Sequence, residues 1–252
     1  SAALDPNNAL HPFLKRTPRG GLYFYSLASG LAPLDDVFVR KALAHGADMR
    51  SIVKAVWGVT EDFATGLTSP LIPCHDPDAL GHVYDPELAR RLLAESRYAD
   101  AETRPRIVVT VPGTGGTIGL DLEVVIEMWK QELGVEVEIQ QMEWATYLQD
   151  LEQSKFQAFA GLGWEADYPD PQDFLDILFH TESSINHGGY SNLAVDAVLE
   201  EARTEPDVVK RVKLYQDAEE MIIKDAAWVP LWFTGERYVL IKPHVQDYRV
   251  TP

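Results

Sequence analysis

The residues best suited to binding chemistry lie in one segment, Gly163–Pro171, which reads Gly-Trp-Glu-Ala-Asp-Tyr-Pro-Asp-Pro. The apolar run 156–162 precedes it and predicts a buried strand, and residues 174–179 predict a helix after it. The segment is therefore expected to form a strand–helix loop, which in an α/β sheet faces a ligand crevice. There the indole of Trp164 would supply an apolar wall. The carboxylate of Asp167 would hold a cation strongly, since such a crevice is poor in water.

The same segment also has a purely structural interpretation, a buried Trp followed by a capped helix. Asp170 is placed to cap that helix, with Pro171 in its first turn and Asp173 in the position of a capping-box acid. The recurrence of Asp at every third position, from 167 to 176, invites a calcium interpretation. A calcium loop would need tighter spacing, a turn glycine and a bidentate Glu. Asp167 is left outside the cap and is the acid predicted to bind a ligand.

Composition excludes some classes of partner. The chain has 252 residues, of which 46% are hydrophobic and 10% aromatic, enough for one large domain or two small ones. The net charge is −17, from 22 basic and 39 acidic residues. Nucleic acid and anionic membrane surfaces both require a basic face, so neither is expected as a partner. The acidity favours solubility and, secondarily, attraction of cationic ligands.

The cysteine and histidine residues suggest no metal centre. Cys74 is the single cysteine, so neither an internal disulfide nor a zinc-binding cysteine pair can form. His75 and His82 share a Pro- and Gly-rich loop with Cys74, but the ligand types are mixed and surface positions are expected. No apolar run approaches the roughly 20 residues of a membrane span, and no signal peptide is recognised. The chain opens without Met, so we expect an excised piece of a longer protein.

The predicted elements alternate between strands and helices. Strands are predicted at 22–27, 106–111, 135–139, 156–162, 228–233 and 238–241. Helices are predicted at 35–56, 85–96, 118–133, 144–153, 174–179, 193–203 and 207–224. Residues 57–82 are predicted to form a long irregular loop. This order predicts an α/β fold, a mixed sheet flanked by helices.

A glycine-rich loop at 112–119 offers a different function. It lies between a predicted strand and a predicted helix, where a dinucleotide-binding turn would lie. The Gly-x-Gly-x-x-Gly fingerprint fails in register, because Ile118 stands where the third glycine is needed. A flexible connection is the favoured interpretation, and a nucleotide-dependent enzyme stays open as an alternative.

Several segments resemble the extracellular solute-binding proteins of the peptide/nickel class, the receptors of dipeptide and oligopeptide ABC importers. Tyr84–Leu93 resembles their Tyr-Asp-Pro-Glu helix, and Gly163–Pro171 resembles their Gly-Trp-x-x-Asp-Tyr motif. The other matching segments are 39–53, 143–148, 186–192, 211–215 and 229–232. They occur in family order across most of positions 22–250.

The resemblance implies a bilobal, periplasmic-binding-protein-like receptor that closes on its ligand, without catalysis or a cofactor. This chain would be its second, ligand-binding lobe at 22–241. Residues 1–21 would be an arm or linker, and 242–252 a return segment toward a missing N-terminal lobe. The implied partners are a small peptide and an ABC permease in the membrane. The implied location is periplasmic or extracellular, with lipid anchoring left open.

The resemblance also assigns binding roles. Asp167 matches the Asp that pairs with the α-ammonium of a peptide, and Trp144 and Trp164 match residues that border the pocket. Backbone groups around Gly163 and Ala166 would hydrogen-bond an extended peptide, a mode that tolerates varied side chains. The sixth candidate ligand-binding residue lies in the matching C-terminal segment: Trp232.

One departure from the family pattern affects the ligand. Oligopeptide-binding relatives carry Arg two residues before the motif glycine, and here that position is Gly161. A carboxylate clamp from that position is therefore absent, which leaves the length and class of the ligand open. A nickel or metal-chelate receptor on the same fold stays a further alternative, although no metal-binding residue is assigned.

Overall fold

The computed structural model describes residues 2–58, 62–79, 81–113 and 115–250. Within them, strands occupy Leu14–Pro18 (β1), Gly21–Leu27 (β2), Asp62–Phe63 (β3), Ile107–Pro112 (β4), Val137–Met142 (β5), Ala158–Glu165 (β6), Trp228–Phe233 (β7) and Glu236–Leu240 (β8). Helices occupy Val37–His45 (α1), Met49–Val56 (α2), Pro86–Glu95 (α3), Leu120–Leu133 (α4), Trp144–Glu152 (α5), Asp176–Phe179 (α6), Leu193–Thr204 (α7) and Val208–Lys224 (α8). Short 3-10 turns lie at Ala2–Leu4, His11–Phe13 and Pro171–Asp173. The predicted α/β class is confirmed.

Six strands form one mixed sheet in the order β3-β7-β2-β6-β4-β5. β2 pairs antiparallel with both β6 and β7, whereas β4 pairs parallel with β5 and β6. The parallel strands β4, β5 and β6 therefore all end at the same edge of the sheet, where the ligand crevices of α/β folds lie.

Each face of the sheet carries its own apolar core. One core packs α1–α4 against the sheet and includes Val39, Val125 and Trp129. The other packs α5, α7 and α8 against the opposite face and includes Tyr147 and Tyr215. The result is a three-layer arrangement with the sheet in the middle.

The single helix predicted at 35–56 is wrong, because two helices occupy that range. α1 begins after Asp36, whose carboxylate accepts a hydrogen bond from the amide of Phe38. The chain leaves the helix at Gly46, and Asp48 caps α2 through the amide of Ser51. The helical spacing of apolar residues continues across the break, because both helices bury one face in the same core.

The strand predicted to end at Leu162 continues to Glu165. Gly163 and Trp164 pair with Tyr23 and Leu22 of β2, so these motif residues belong to a strand and the turn begins at Ala166. The correction arises because β2, 140 residues away in the sequence, supplies the pairing that prolongs the strand. At the start of the chain, β1 and β8 form a separate two-stranded antiparallel ribbon.

The loop after α2 contains the short strand β3 and is anchored by a buried acid. The carboxylate of Glu219 on α8 accepts hydrogen bonds from the amides of Leu67 and Thr68 and from the Thr68 hydroxyl. Burial raises the pKa of Glu219 despite these bonds. Within the described ranges, no helix is long and apolar enough to cross a lipid bilayer.

Candidate functional site

β6 has an unpaired edge at the end that carries the Trp-Asp motif. On one side, β2 pairs with β6 as far as Glu165. On the other side, β4 pairs only with Ala158 and Phe159 and then ends at Pro112. Among the residues that the structure describes, β6 has no paired strand on that side beyond Phe159, and the edge is open after Gly161, which the ring of Pro112 abuts. Such an edge is a template for an added extended chain.

The register shows which backbone groups point toward this open edge. Ala166 donates its N–H to the carbonyl of Gly20 at 2.8 Å and so continues the ladder with β2. Residues of an antiparallel strand face alternately toward and away from one neighbour. The amides and carbonyls of Gly163 and Glu165 therefore point to the open edge. The Ala166 amide is engaged inside the fold, and a role for Ala166 in binding stays a prediction.

The turn after β6 is organised by a buried carboxylate, that of Asp173. Its Oδ2 accepts a hydrogen bond from the Trp164 indole at 3.2 Å and another from the Asp167 amide at 3.0 Å. Its Oδ1 has no hydrogen-bond partner among the described residues. Burial, opposed by these two hydrogen bonds, raises the pKa of Asp173. Asp173 thus fixes both the indole ring and the backbone from which the Asp167 side chain projects.

Asp170 is a cap as predicted, but it caps the 3-10 turn Pro171–Asp173, and α6 begins after Leu175 without a side-chain cap. The capping-box prediction is wrong for Asp173. Asp170 accepts a hydrogen bond from the amide of Gln172 at 2.9 Å, as a cap should. Asp173 does not return to the Asp170 amide, which donates instead to the carbonyl of Tyr168. The carboxylate of Asp173 turns toward Trp164 because the strand, longer than predicted, places the indole over it.

Asp167 differs from the acids around it. Glu165 forms a bidentate pair with Arg19, at 2.6 and 3.2 Å, and Asp170 forms one with Arg211, at 2.8 and 2.9 Å. The Arg211 guanidinium, against the effect of burial, lowers the pKa of Asp170. Asp167 is exposed, and within the described part of the chain its carboxylate has no Lys or Arg partner. It remains available to an external cation.

Trp144 begins α5, directly after β5 ends at the same edge of the sheet. Its side chain is 51% exposed and stacks on the buried ring of Tyr147, with ring centroids 6.1 Å apart. An exposed indole supported from beneath can contact a ligand without any rearrangement of the core. Trp144 and Asp167 follow strands on either side of β4, so both border the ends of the parallel strands.

A cavity of about 490 Å³ lies beside the start of the open edge, on the face that carries α1–α4. It is bounded by Gly161, by Pro112 at the end of β4 and by Gly119 at the start of α4. Its aromatic wall contains Trp232. The Trp232 ring stacks on Tyr23, with ring centroids 5.0 Å apart, and lies against Trp57, with ring centroids 5.1 Å apart. Of the six predicted binding residues, only Trp232 lines this cavity.

Sequence reasoning did not single out four further residues of the cavity lining: Tyr23, Tyr25, Trp57 and Asp121. The hydroxyl of Tyr25 donates to Oδ2 of Asp121 at 2.7 Å. Burial and the neighbouring Asp121 carboxylate raise the pKa of Tyr25 well above its ordinary value, so it stays a hydrogen-bond donor. The alternation of Tyr23 and Tyr25 on one strand was a usable signal for a shared face.

The geometry gives little support to the two alternative sites, a nucleotide site in the loop at 112–119 and a metal site. In the loop at 112–119, Gly115 donates its N–H to Gln141, and Gln141 donates to the carbonyl of Gly116. The helix that follows begins with acids at Asp121 and Glu123, which repel a phosphate. Residue 114 lies outside the described residues. Within the described ranges, no group of three His, Cys, Asp or Glu side chains is arranged to hold a metal.

Comparison with known proteins identifies the family. Residues 2–186 match the family model of the bacterial extracellular solute-binding proteins, family 5, middle region.

The chain belongs to this family.

The family 5 chain is 32% identical over 237 residues to the periplasmic oligopeptide-binding protein OppA of Escherichia coli, covering 90% of this chain and 42% of that protein. It is 29% identical over 228 residues to the oligopeptide-binding protein OppA of Bacillus subtilis, and this match covers 88% of this chain and 42% of that protein. A solved OppAIV of Borrelia burgdorferi superposes with a TM-score of 0.77 at 27% identity, covering 92% of this chain and 46% of that one. The family 5 chain therefore spans less than half the length of these relatives.

These matches confirm the predicted family and the predicted fold, a mixed sheet flanked by helices of the periplasmic-binding-protein type. Family 5 members are substrate-binding receptors rather than enzymes. The roles of the six candidate binding residues are not settled by these matches and stay predictions.

Proposed function

We propose that this chain is the ligand-binding lobe of an ABC-importer receptor that captures peptides. The peptide lies along the open edge of β6, and its main chain bonds the backbone groups of Gly163 and Glu165. Its terminal ammonium meets the carboxylate of Asp167. The observation that carries the proposal is the coincidence of a strand edge and an acid, Asp167, that have no paired strand and no Lys or Arg partner, respectively, among the described residues. Two of the relatives are named for binding oligopeptides, which supports this ligand class.

Capture requires a second lobe in this proposal. The lobe closes over the peptide, so that Trp144 and Trp164 border the ligand and water is excluded. Exclusion of water strengthens the pairing between Asp167 and the ammonium. The closed receptor then delivers its peptide to a membrane permease from the periplasm or the cell surface. The protein carries out no catalysis, and this lobe alone binds weakly because half of the contacts are missing.

The test uses the two-lobed receptor and pairs of tripeptides that differ only by N-terminal acetylation. Calorimetric titration should show that the free amine binds at least about tenfold more tightly than the acetylated form. In Asp167→Asn that preference should disappear, because the ammonium loses its counter-charge. Exposed Glu182, in the loop after α6, provides the control variant Glu182→Gln, which should keep the preference. Equal affinities for both tripeptides in the unmodified receptor would contradict the proposal.

A thermal-shift comparison separates the enzyme alternative from the receptor. Peptides should raise the melting temperature of the receptor, since a ligand that binds only the folded state stabilises it. NAD, ATP and nickel should leave it unchanged. Stabilisation by a nucleotide and not by peptides would favour the enzyme instead.

A further inference from the structure

The aromatic cavity beside Gly161 contains a carboxylate, that of Asp121, which takes no part in the proposed binding of the peptide main chain. Asp121 lies in its lining, and within the described residues it forms no ion pair. Its Oδ2 accepts the Tyr25 hydroxyl, which leaves Oδ1 and further lone pairs for another donor. A second charged residue of the lining, Arg19, is already held by both oxygens of Glu165. The uncompensated charge of the cavity is therefore negative.

The walls of the cavity suit a cation as well as an apolar chain. Tyr23, Trp57 and Trp232 form a contiguous aromatic surface. Aromatic faces attract ammonium and guanidinium groups, and they also pack against the methylene stem of a long basic side chain. A volume of about 490 Å³ is larger than such a side chain needs, so it enters without repacking the core.

The cavity opens onto the proposed peptide path. A Cβ at Gly163 would lie 3.2 Å from the ring of Tyr23, so side chains on that face of β6 point toward the aromatic wall. An added strand presents its side chains alternately to the two faces of a sheet. Every second side chain of the peptide is thus directed to the cavity side.

We propose that this cavity is a specificity subsite for a basic side chain, with Asp121 as the counter-charge and the aromatic wall as its cradle. The subsite rests on the proposed peptide-binding function and narrows it to peptides with Lys or Arg at positions that face the cavity. The remaining side chains point to the other face of the sheet, so the subsite does not select among them.

The first experiment tests the cavity directly in this 252-residue chain, with n-butylammonium as a mimic of the lysine side chain and n-butanol as its uncharged match. NMR follows the indole N–H signals of Trp57 and Trp232. Butylammonium should shift both signals and butanol should not. Asp121→Asn, which can still accept the Tyr25 hydroxyl, should abolish the shifts. Glu123→Gln, an exposed acid in the same helical turn, should leave them intact. Absence of shifts, or shifts that survive in Asp121→Asn, would overturn the subsite.

The second experiment places the side chain on a peptide. In the two-lobed receptor, pentaalanine with one Lys at each position in turn is compared with the norleucine peptide of the same position. Lys should bind roughly fivefold more tightly at alternate positions only, and this preference should vanish in Asp121→Asn. Equal binding of Lys and norleucine at every position overturns the subsite while peptide capture stands. Butylammonium binding without any peptide binding would instead reject the proposed function and keep the cation site.

Discussion

The turn after β6 and the cavity beside Gly161 lie at opposite ends of one open strand edge, and different interactions hold them. At the turn, one buried carboxylate, that of Asp173, fixes an indole and a backbone amide. At the cavity, stacked rings of Tyr23 and Trp232 form the wall, and Gly161 leaves room by having no side chain. Polar groups thus orient the end proposed for the ammonium, and packing shapes the end proposed for a side chain. Directional bonds suit a fixed charge, whereas a packed wall tolerates varied groups.

The largest expected change in the free energy of unfolding concerns the aromatic wall of the cavity. Trp232→Ala removes a buried indole from the core, and we expect the free energy of unfolding to fall by about 3–5 kcal/mol. Trp144→Ala removes an indole that is 51% exposed, and we expect a loss below about 1 kcal/mol. Urea unfolding of both variants measures the difference. Comparable losses would mean that the two indoles are equally embedded, and the contrast between the ends would fail.

A smaller effect should follow from filling the space at Gly161. This residue has a φ of +80°, and an added Cβ would lie 3.0 Å from Cδ of Pro112. Gly161→Ala should therefore lower the free energy of unfolding by about 2–3 kcal/mol, from backbone strain and from overpacking.

Gly115 provides the matched control for that substitution. Its φ is +87°, and an added Cβ would have no atom of the described residues beyond its chain neighbours within 4 Å. Gly115→Ala should cost only the backbone strain, about 1 kcal/mol. If the two alanine variants unfold at the same urea concentration, the contact with Pro112 does not shape the cavity.

The smallest expected effect is the pH dependence of stability that Asp173, in the turn after β6, produces. The pKa of Asp173 is raised in the folded state, so the folded protein keeps this proton to higher pH than the unfolded chain does. The proton-linked stabilisation is complete below the unfolded pKa, near 3.9, and is lost as pH rises through the folded pKa. Relative to Asp173→Asn, which does not titrate, the unmodified chain should lose stability over that window. Urea unfolding at a series of pH values measures the difference, and a constant or rising difference would refute the assignment.

Sequence reasoning succeeded where the signal was local. Three correct predictions depend on residues within one or two turns of each other: the strand at 22–27, the helix in the range 85–96 and the cap at Asp170. The motif around Asp167 was recognisable for the same reason, since its Trp, acid and prolines are consecutive.

The cavity was not predictable from local patterns. Tyr25 and Asp121 meet across 96 residues, and Trp232 reaches Tyr23 only because β7 pairs with β2. Strand pairing also explains the wrong strand end at Leu162, since the partner that prolongs β6 lies far away in the sequence. Long-range pairing therefore decided both the extent of the motif strand and the presence of a second candidate site.

The bare edge of β6 has a consequence for the protein when no ligand is bound. Exposed main-chain donors and acceptors pair with any extended chain, so the edge that is proposed to bind a peptide is also able to pair with a second copy of this chain. The ring of Pro112, which cannot donate a main-chain hydrogen bond, abuts Gly161 at one end of the edge. At the other end, the Arg19–Glu165 pair adds charge beside the last strand residue. In the proposed function, a bound peptide would cover this edge and so prevent such pairing between copies of the chain.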